Sequence, residues 1–362
     1  MKIDKEYYTN NKKYMDMRTI QTAVKCYNNL HAKGIYYVYR KYMFARDSMF
    51  RSIKAKHDTS NKVKLPYKKK KYFNTGWDYQ SIKYDFEKGL IKLSRPISHD
   101  ENGKKINNPP VKCYTKNIPQ DIKEIELVYR NGLYLVIKYK EEDIQQLIQS
   151  NNSAAIDLGE IHSITSIDNN GHAIIITGRK LRSIKRLRDK EQGKLRSKMS
   201  KCKKHSKQYK TYRNALWNLK YKTERQIFDC VHKISKLYLD YCLENNISKV
   251  YYGDLDNCTR NSSEKIGKMV GQKLNEWNYG ELTLQLRNKL ERYGIEMIKV
   301  SEAYSSQTCP HCGKRHKPNS RNYDYRCGYH QHRDLVGAIN ILNFNEDIKQ
   351  EYHTSFKYLR IE

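Results

Sequence analysis

Residues 300–342 read Val300-Ser-Glu302-Ala-Tyr-Ser-Ser-Gln-Thr-Cys309-Pro-His311-Cys312-Gly, then a basic stretch, then Cys327-Gly-Tyr-His330-Gln-His332-Arg-Asp334-Leu-Val-Gly-Ala-Ile-Asn-Ile-Leu342. Cys309-x-x-Cys312 is a knuckle of zinc type, since two thiolates at that spacing can close on one tetrahedral ion. The cluster runs straight into Asp334, which opens an apolar helix predicted over Leu335–Leu342. Ala338 and Ile341 follow Asp334 on one face of that helix, so the helix packs on a sheet and aims the aspartate at the sheet's end. A metal-dependent nuclease core interrupted by a zinc ribbon has this order.

A second acid lies upstream. Asp157 sits inside the apolar strand Ala154-Ala155-Ile156-Asp157-Leu158-Gly159. An unpaired aspartate there is costly to bury, so it is either partnered or functional. By position alone, Asp334 also fits a first-turn acid of its helix. Two-metal hydrolysis of a phosphodiester needs several carboxylates converging on ions roughly 3.5–4 Å apart. Hard oxygen ligands of this kind suit Mg2+.

The rest of the chain speaks mainly of a partner. Lys and Arg number 70 against 39 Asp and Glu, a formal charge of +31 over 362 residues. Such self-repulsion is relieved by a polyanion, and nucleic acid releases counterions on contact. Tyr outnumbers Phe 31 to 7, which supplies flat rings for stacking on bases. Six of the nine cysteines (Cys26, Cys113, Cys202, Cys230, Cys242, Cys258) are scattered singly. No signal peptide or membrane-length apolar run is visible, so a reduced cytoplasm is expected, in a bacterial cell and on the nucleoid when DNA is bound. Metal is then favoured over disulfide for the clustered cysteines.

Helical periods cover Ile20–Leu30 and Tyr36–Phe50, closing at the Lys68–Lys71 run. Short strands follow: Lys83–Phe86 and Leu90–Leu93 around Glu87-Lys88-Gly89, and Ile125–Tyr129 and Tyr134–Tyr139 around Arg130-Asn131-Gly132. Ala154–Ile167 reads as one buried strand, turning at Asp168–Gly171 into His172–Thr177. A helical hairpin is expected over 179–245. Its first arm carries Lys185, Arg186, Arg188, Lys194, Arg196, Lys198, Lys201, Lys203, Lys204 and Lys207, a density that suits nucleic-acid contact better than burial. Its second arm places Ile227, Val231, Ile234, Tyr238 and Tyr241 at core spacing. Strands at Lys249–Leu255 and Ile295–Val300 enclose a helix over Leu274–Tyr293. The predicted class is an α+β multidomain protein with a ribonuclease-H-like mixed sheet.

Asp157-Leu-Gly, the strand ending Gly253-Asp254-Leu255, the Glu302-to-Cys312 segment and His332-Arg-Asp334-Leu-Val-Gly-Ala-Ile-Asn together resemble the RuvC-type core of the TnpB family, transposon-encoded RNA-guided DNA nucleases similar to ancestors of type V CRISPR effectors. The resemblance runs continuously over about 125–343, with the motifs in the family's order. It implies Asp157 and Asp334 as the first and third catalytic acids. The family's usual glutamate is missing where Gly253 stands, but some members carry one before the ribbon, as Glu302 does here. In a sheet ordered 3-2-1-4-5, a strand-4 glycine leaves room for a long side chain from the end of neighbouring strand 5. Asp254 is the competitor, although adjacent strand residues face opposite sides and it should point away from Asp157. A dead centre is the third alternative.

For the ribbon, the resemblance implies a second knuckle ending at Cys327, whose cysteine partner is absent. His330 is the leading fourth zinc ligand beside Cys309, Cys312 and Cys327. His311, His316, His332 and Asp324 are rivals, as is a ribbon without metal. Expected parts are a helical recognition region 1–75, a wedge β-domain of small β-barrel type 76–150, a RuvC-like core 151–308, the zinc ribbon 309–330, a last helix 331–345 and a tail 346–362. Family members begin with a wedge strand, and Met1–Met17 does not read as one, so the chain is expected to start late or be shortened. The implied partners are a guide RNA from the transposon end and target DNA, and the implied cofactors are catalytic Mg2+ and structural Zn2+. Three functions compete at this stage: an RNA-guided endonuclease cutting beside a short adjacent motif, a nuclease-dead guided binding protein or repressor on the same scaffold, and a general RNA-binding zinc-ribbon protein.

Overall fold

The computed structural model describes residues 2–24, 31–54, 74–129, 132–140, 150–254, 279–316, 320–347 and 356–361. Two compact units emerge, Met1–Glu142 and Asp143–Glu362.

The first unit opens with helices α1 (Lys2–Asn11), α2 (Met17–Ala23) and α3 (Ala32–Lys54). A buried pair ties them: Arg46 donates to Asp4 at 2.9 Å, and Asp4 also accepts from the Met15 amide and the Tyr42 hydroxyl. Residues 25–30 and the Lys68–Lys71 run lie outside the described residues. Eight strands follow: β1 (Thr75–Asp78), β2 (Ile82–Asp85), β3 (Leu90–Leu93), β4 (Ser98–His99), β5 (Lys105–Ile106), β6 (Val111–Tyr114), β7 (Ile122–Tyr129) and β8 (Leu133–Tyr139). They pair as β1-β7-β8, β2-β3-β6 and β4-β5. The Glu87-Lys88-Gly89 turn joins β2 to β3 as its sequence predicts, with Gly89 at φ +57.

The second unit is built on a six-stranded sheet: β9 (Asn152–Asp157), β10 (His162–Asp168), β11 (Ala173–Thr177), β12 (Ile247–Gly253), β13 (Glu296–Val300) and β16 (Phe356–Arg360). Its order is β13-β12-β9-β10-β11-β16. β9, β10 and β11 are antiparallel neighbours, while β12, β13 and β16 join in parallel. Ala154–Ile167 is therefore two strands. The chain reverses at Gly159, where a Cβ would come 2.8 Å from the His162 carbonyl oxygen, so only glycine fits the turn. Residues 356–360, read from sequence as tail, form the edge strand against β11. Leu255 and residues 274–278 of the expected strand and helix fall outside the described residues.

Period-two alternation assigns the faces. Ala154, Ile156, Ile164, Ile174, Val250 and Tyr252 pack against α5 (Lys207–Glu244) and α6 (Tyr279–Glu291). Ala155, Ile167, Tyr251, Ile298 and Val300 pack against α7 (Arg333–Glu346). The helical hairpin is α4 (Arg179–Ser200) and α5, and the second arm's Ile227, Val231, Ile234, Tyr238 and Tyr241 are all buried. Between β13 and α7 stands a small hairpin, β14 (Asn322–Asp324) with β15 (His330–His332).

Candidate active site and the family of the chain

Each acid reaches the α7 side of the sheet by the same alternation. Ala155 faces α7, so Asp157 does too, and a Cβ on Gly337 of that helix would meet Asp157 Oδ2 at 2.6 Å. Tyr251 faces α7, so Gly253 does as well, and Asp254 turns away. Ile298 and Val300 carry the same parity on to Glu302. A Cβ on Gly253 would fall 2.8 Å from Glu302 Cβ and 2.9 Å from its carboxylate carbon. The long side chain thus lies in the space the glycine leaves open. Asp254 instead pairs with Lys299 at 2.8 Å.

Asp334 completes the group from the first turn of α7, whose N-cap is His332. Its Oδ2 lies 2.8 Å from Nδ1 of His162, and Arg321 stands 4.0 Å away. Electrostatics record the convergence. Burial pushes the Asp157 carboxyl well above the usual carboxylate range, and the charges of Asp334 and then Glu302 push it further. Glu302 rises to about 7 through burial and the nearby Asp254 charge. Burial opposes ionisation of Asp334, but the His162 hydrogen bond and the His332 and Arg321 charges outweigh it and hold the carboxyl low. Asp334 and Glu302 both repel the buried Asp157 carboxylate, and a hard divalent cation beside it would remove that repulsion. Among the described residues, the groups whose ligand atoms all lie within 4.8 Å of one another are the three cysteines and His162, His332 and Asp334, and Asp157 and Glu302 are in neither.

The cysteines also meet. Cys309, Cys312 and Cys327 form one group able to hold a metal ion, with the Cys309 and Cys327 sulfurs 3.5 Å apart. His330 is not in that group. It is the cross-strand partner of Asp324, and its Nδ1 lies 2.7 Å from the Asp324 carboxylate, so the β14–β15 register holds the ring elsewhere. His332 caps α7 instead, and His316 packs edge-on against Tyr323. Among the described residues no histidine joins the three sulfurs.

Two residues of the site escaped the sequence reading. Asn340, buried in α7, donates to the carbonyls of Ser305 at 2.6 Å and Thr308 at 2.7 Å, tying the turn after Glu302 to the helix bearing Asp334. The signal was an asparagine inside an apolar helical run. His162 is the other, and no local pattern marks it.

On α4, Arg186, Lys194, Arg196 and Lys198 are exposed and Lys185 and Arg188 half-buried, while Lys201, Lys203 and Lys204, expected on the same arm, are exposed in the turn after it and Lys207 is exposed at the start of α5. Glu191 pairs with Lys194 and Asp189 with Arg188, which leaves a strongly positive helix.

A family described as a probable transposase matches residues 136–259, and the Cas12f1-like TNB domain matches 279–341. A TnpB-like protein from Methanocaldococcus jannaschii is 28% identical over 203 residues, 53% of this chain and 69% of the relative. Together these matches support a TnpB-family protein. The chain is also 28% identical over 117 residues to the CRISPR-associated endodeoxyribonuclease Cas12f1 of an uncultured archaeon, 29% of this chain and 21% of that protein's length. A Cas12f1 solved with sgRNA and target DNA superposes at a TM-score of 0.60 and 18% identity, covering 93% of this chain and 77% of the other. At that identity the likeness speaks for the fold alone.

Proposed function

We propose that this chain is an RNA-guided DNA endonuclease of a mobile element, cutting target DNA beside a short adjacent motif by metal-dependent phosphodiester hydrolysis. Glu302 filling the space at Gly253, and the charges of Asp334 and Glu302 on the buried Asp157, support the reading. Relatives named TnpB-like and endodeoxyribonuclease support it.

In this scheme Asp157 and Asp334 hold Mg2+ from β9 and α7, and Glu302 takes the place that Gly253 leaves empty. Bound divalent ions supply charge neutralisation and a water made nucleophilic at neutral pH. His162 keeps Asp334 ionised and oriented. The three cysteines hold a Zn2+ that braces the ribbon between Glu302 and Asp334. A guide RNA from the transposon end lies against the basic arm of the hairpin and the wedge strands of the first unit. Target sequence is then read by base pairing, while the protein reads duplex shape and the adjacent motif.

The test is cleavage of matched DNA by protein purified with co-expressed guide, in Mg2+. Cutting that Glu302→Gln abolishes and Asp254→Asn preserves is the expected result. The reverse pattern rejects the assignment of Glu302. Guided binding by the wild-type chain with no cutting rejects the enzyme and leaves a guided DNA-binding protein.

A further inference from the structure

Asp334 has a second set of neighbours, of which the three-carboxylate reading uses only His162. His162 opens β10 and is only 5% exposed, and its Nδ1 lies 2.8 Å from Asp334 Oδ2. Two residues before Asp334, His332 sets its ring 5.0 Å from that of His162, centroid to centroid. The edge strand closes the outer side: Tyr358 meets His162 edge-on at 5.8 Å, and Phe356 meets His332 at 6.0 Å. One ligand atom from each of His162, His332 and Asp334 lies within 4.8 Å of the others.

Orienting Asp334 requires one imidazole, and two are present. A neutral imidazole carries one lone-pair nitrogen, and two such nitrogens with a carboxylate oxygen make a mixed donor set. Mg2+ keeps oxygen ligands and waters, whereas imidazole draws first-row transition ions. Three interactions must yield to an ion, the first being the 2.8 Å hydrogen bond between His162 Nδ1 and Asp334, whose proton must leave before that nitrogen can be a ligand. The Asp334 amide donates to His332 Nδ1 at 3.3 Å, a long cap. Arg321 stands 4.0 Å from the carboxylate, but its side chain is 47% exposed and free to swing toward solvent or a phosphate.

We propose that His162, His332 and Asp334 form a nitrogen–oxygen cation position beside Asp157 and Glu302, and that it takes a transition ion such as Mn2+ in preference to Mg2+. The inference rests on the reading of Asp334 as an ion ligand. It places an imidazole-bearing position next to an all-carboxylate one.

Mn2+ is the probe, because the ribbon thiolates favour softer ions. Zinc-loaded full-length protein is titrated with Mn2+ and examined by pulsed electron paramagnetic resonance. Nitrogen-14 modulation is expected, weakened in His162→Ala and in His332→Ala and lost in the double variant. Calorimetric Mn2+ affinity should fall about 10- to 100-fold in the double variant, with a smaller fall for Mg2+. A wild-type spectrum with oxygen ligands alone overturns the proposal, whatever the variants do. So does an equal loss of Mn2+ and Mg2+ affinity, which would reduce both histidines to orienting Asp334. Cutting in Mg2+ without nitrogen coupling sinks this inference and leaves the nuclease standing. Nitrogen coupling without cutting does the opposite.

Discussion

Glu302 occupies the space that Gly253 leaves empty: a Cβ on the glycine would lie 2.8 Å from the glutamate's Cβ and 2.9 Å from its carboxylate carbon. Neither residue explains itself alone. The glycine looks like a lost catalytic acid, and the glutamate looks like a loop residue before a zinc knuckle.

The pair predicts a transposable carboxylate. Gly253→Ala should cut cleavage at least tenfold by displacing Glu302, since a misplacement of about 1 Å costs on the order of 100-fold. Glu302→Ala should be inactive, and Gly253→Glu combined with Glu302→Ala should recover measurable cutting. Cleavage assays on the three variants check this, and a double variant no better than Glu302→Ala would reject the shared space.

Stability should fall with pH when no divalent ion is bound at the acids. Glu302 is raised from 4.5 to about 7, so between those values the folded chain binds more protons than the unfolded one. Its contribution is full below about pH 4.5 and lost as pH rises through 7, roughly 3 kcal/mol from this carboxyl. Denaturant melts at pH 5 and pH 8 without Mg2+ or Mn2+ should show the fall, and Glu302→Gln should flatten it. Added Mg2+ should stabilise more at pH 8 than at pH 5.

Asn340→Ala removes both hydrogen bonds to the turn after Glu302 and strands the Ser305 and Thr308 carbonyls in the interior. A loss of about 1–3 kcal/mol is expected. Because the bonds hold Glu302's turn to Asp334's helix, the turnover rate should drop while guide affinity stays. Calorimetric melting and single-turnover cutting separate the two effects.

Removing charge from the hairpin's first arm should weaken nucleic-acid binding in a salt-dependent way. Neutralising Lys194, Arg196 and Lys198 should lower the slope of log affinity against log salt by about one for each phosphate left without its cation. Thermal stability should hold, since these side chains are exposed. An unchanged slope would make the arm a solvated face.

Zinc should bind at about one ion per chain and depend on Cys309, Cys312 and Cys327. His330→Ala should leave the stoichiometry intact, because that ring is engaged with Asp324. Elemental analysis of the four single variants decides it.

The order of the motifs, the alternation of each strand and the charge of the long hairpin are legible in the chain without any coordinates. Alternation alone turned Asp254 away from Asp157, because neighbouring strand residues must face opposite sides, while Glu302 came from the family resemblance. The Cys-x-x-Cys spacing likewise declared its chemistry locally. Whatever depends on register and packing across distant segments had to wait for the folded molecule. His162 meets Asp334 across 172 residues of chain, and no periodicity near either residue encodes that. The reversal at Gly159, which splits one apolar run into β9 and β10, brings His162 back to the sheet end where Asp157 stands. The β14–β15 register drew His330 away from the cysteines, and the packing of α7 made Asn340 a clamp on Glu302's turn. Local pattern sets what an element is and which face it buries, while the neighbours on that face are chosen only when the whole sheet closes.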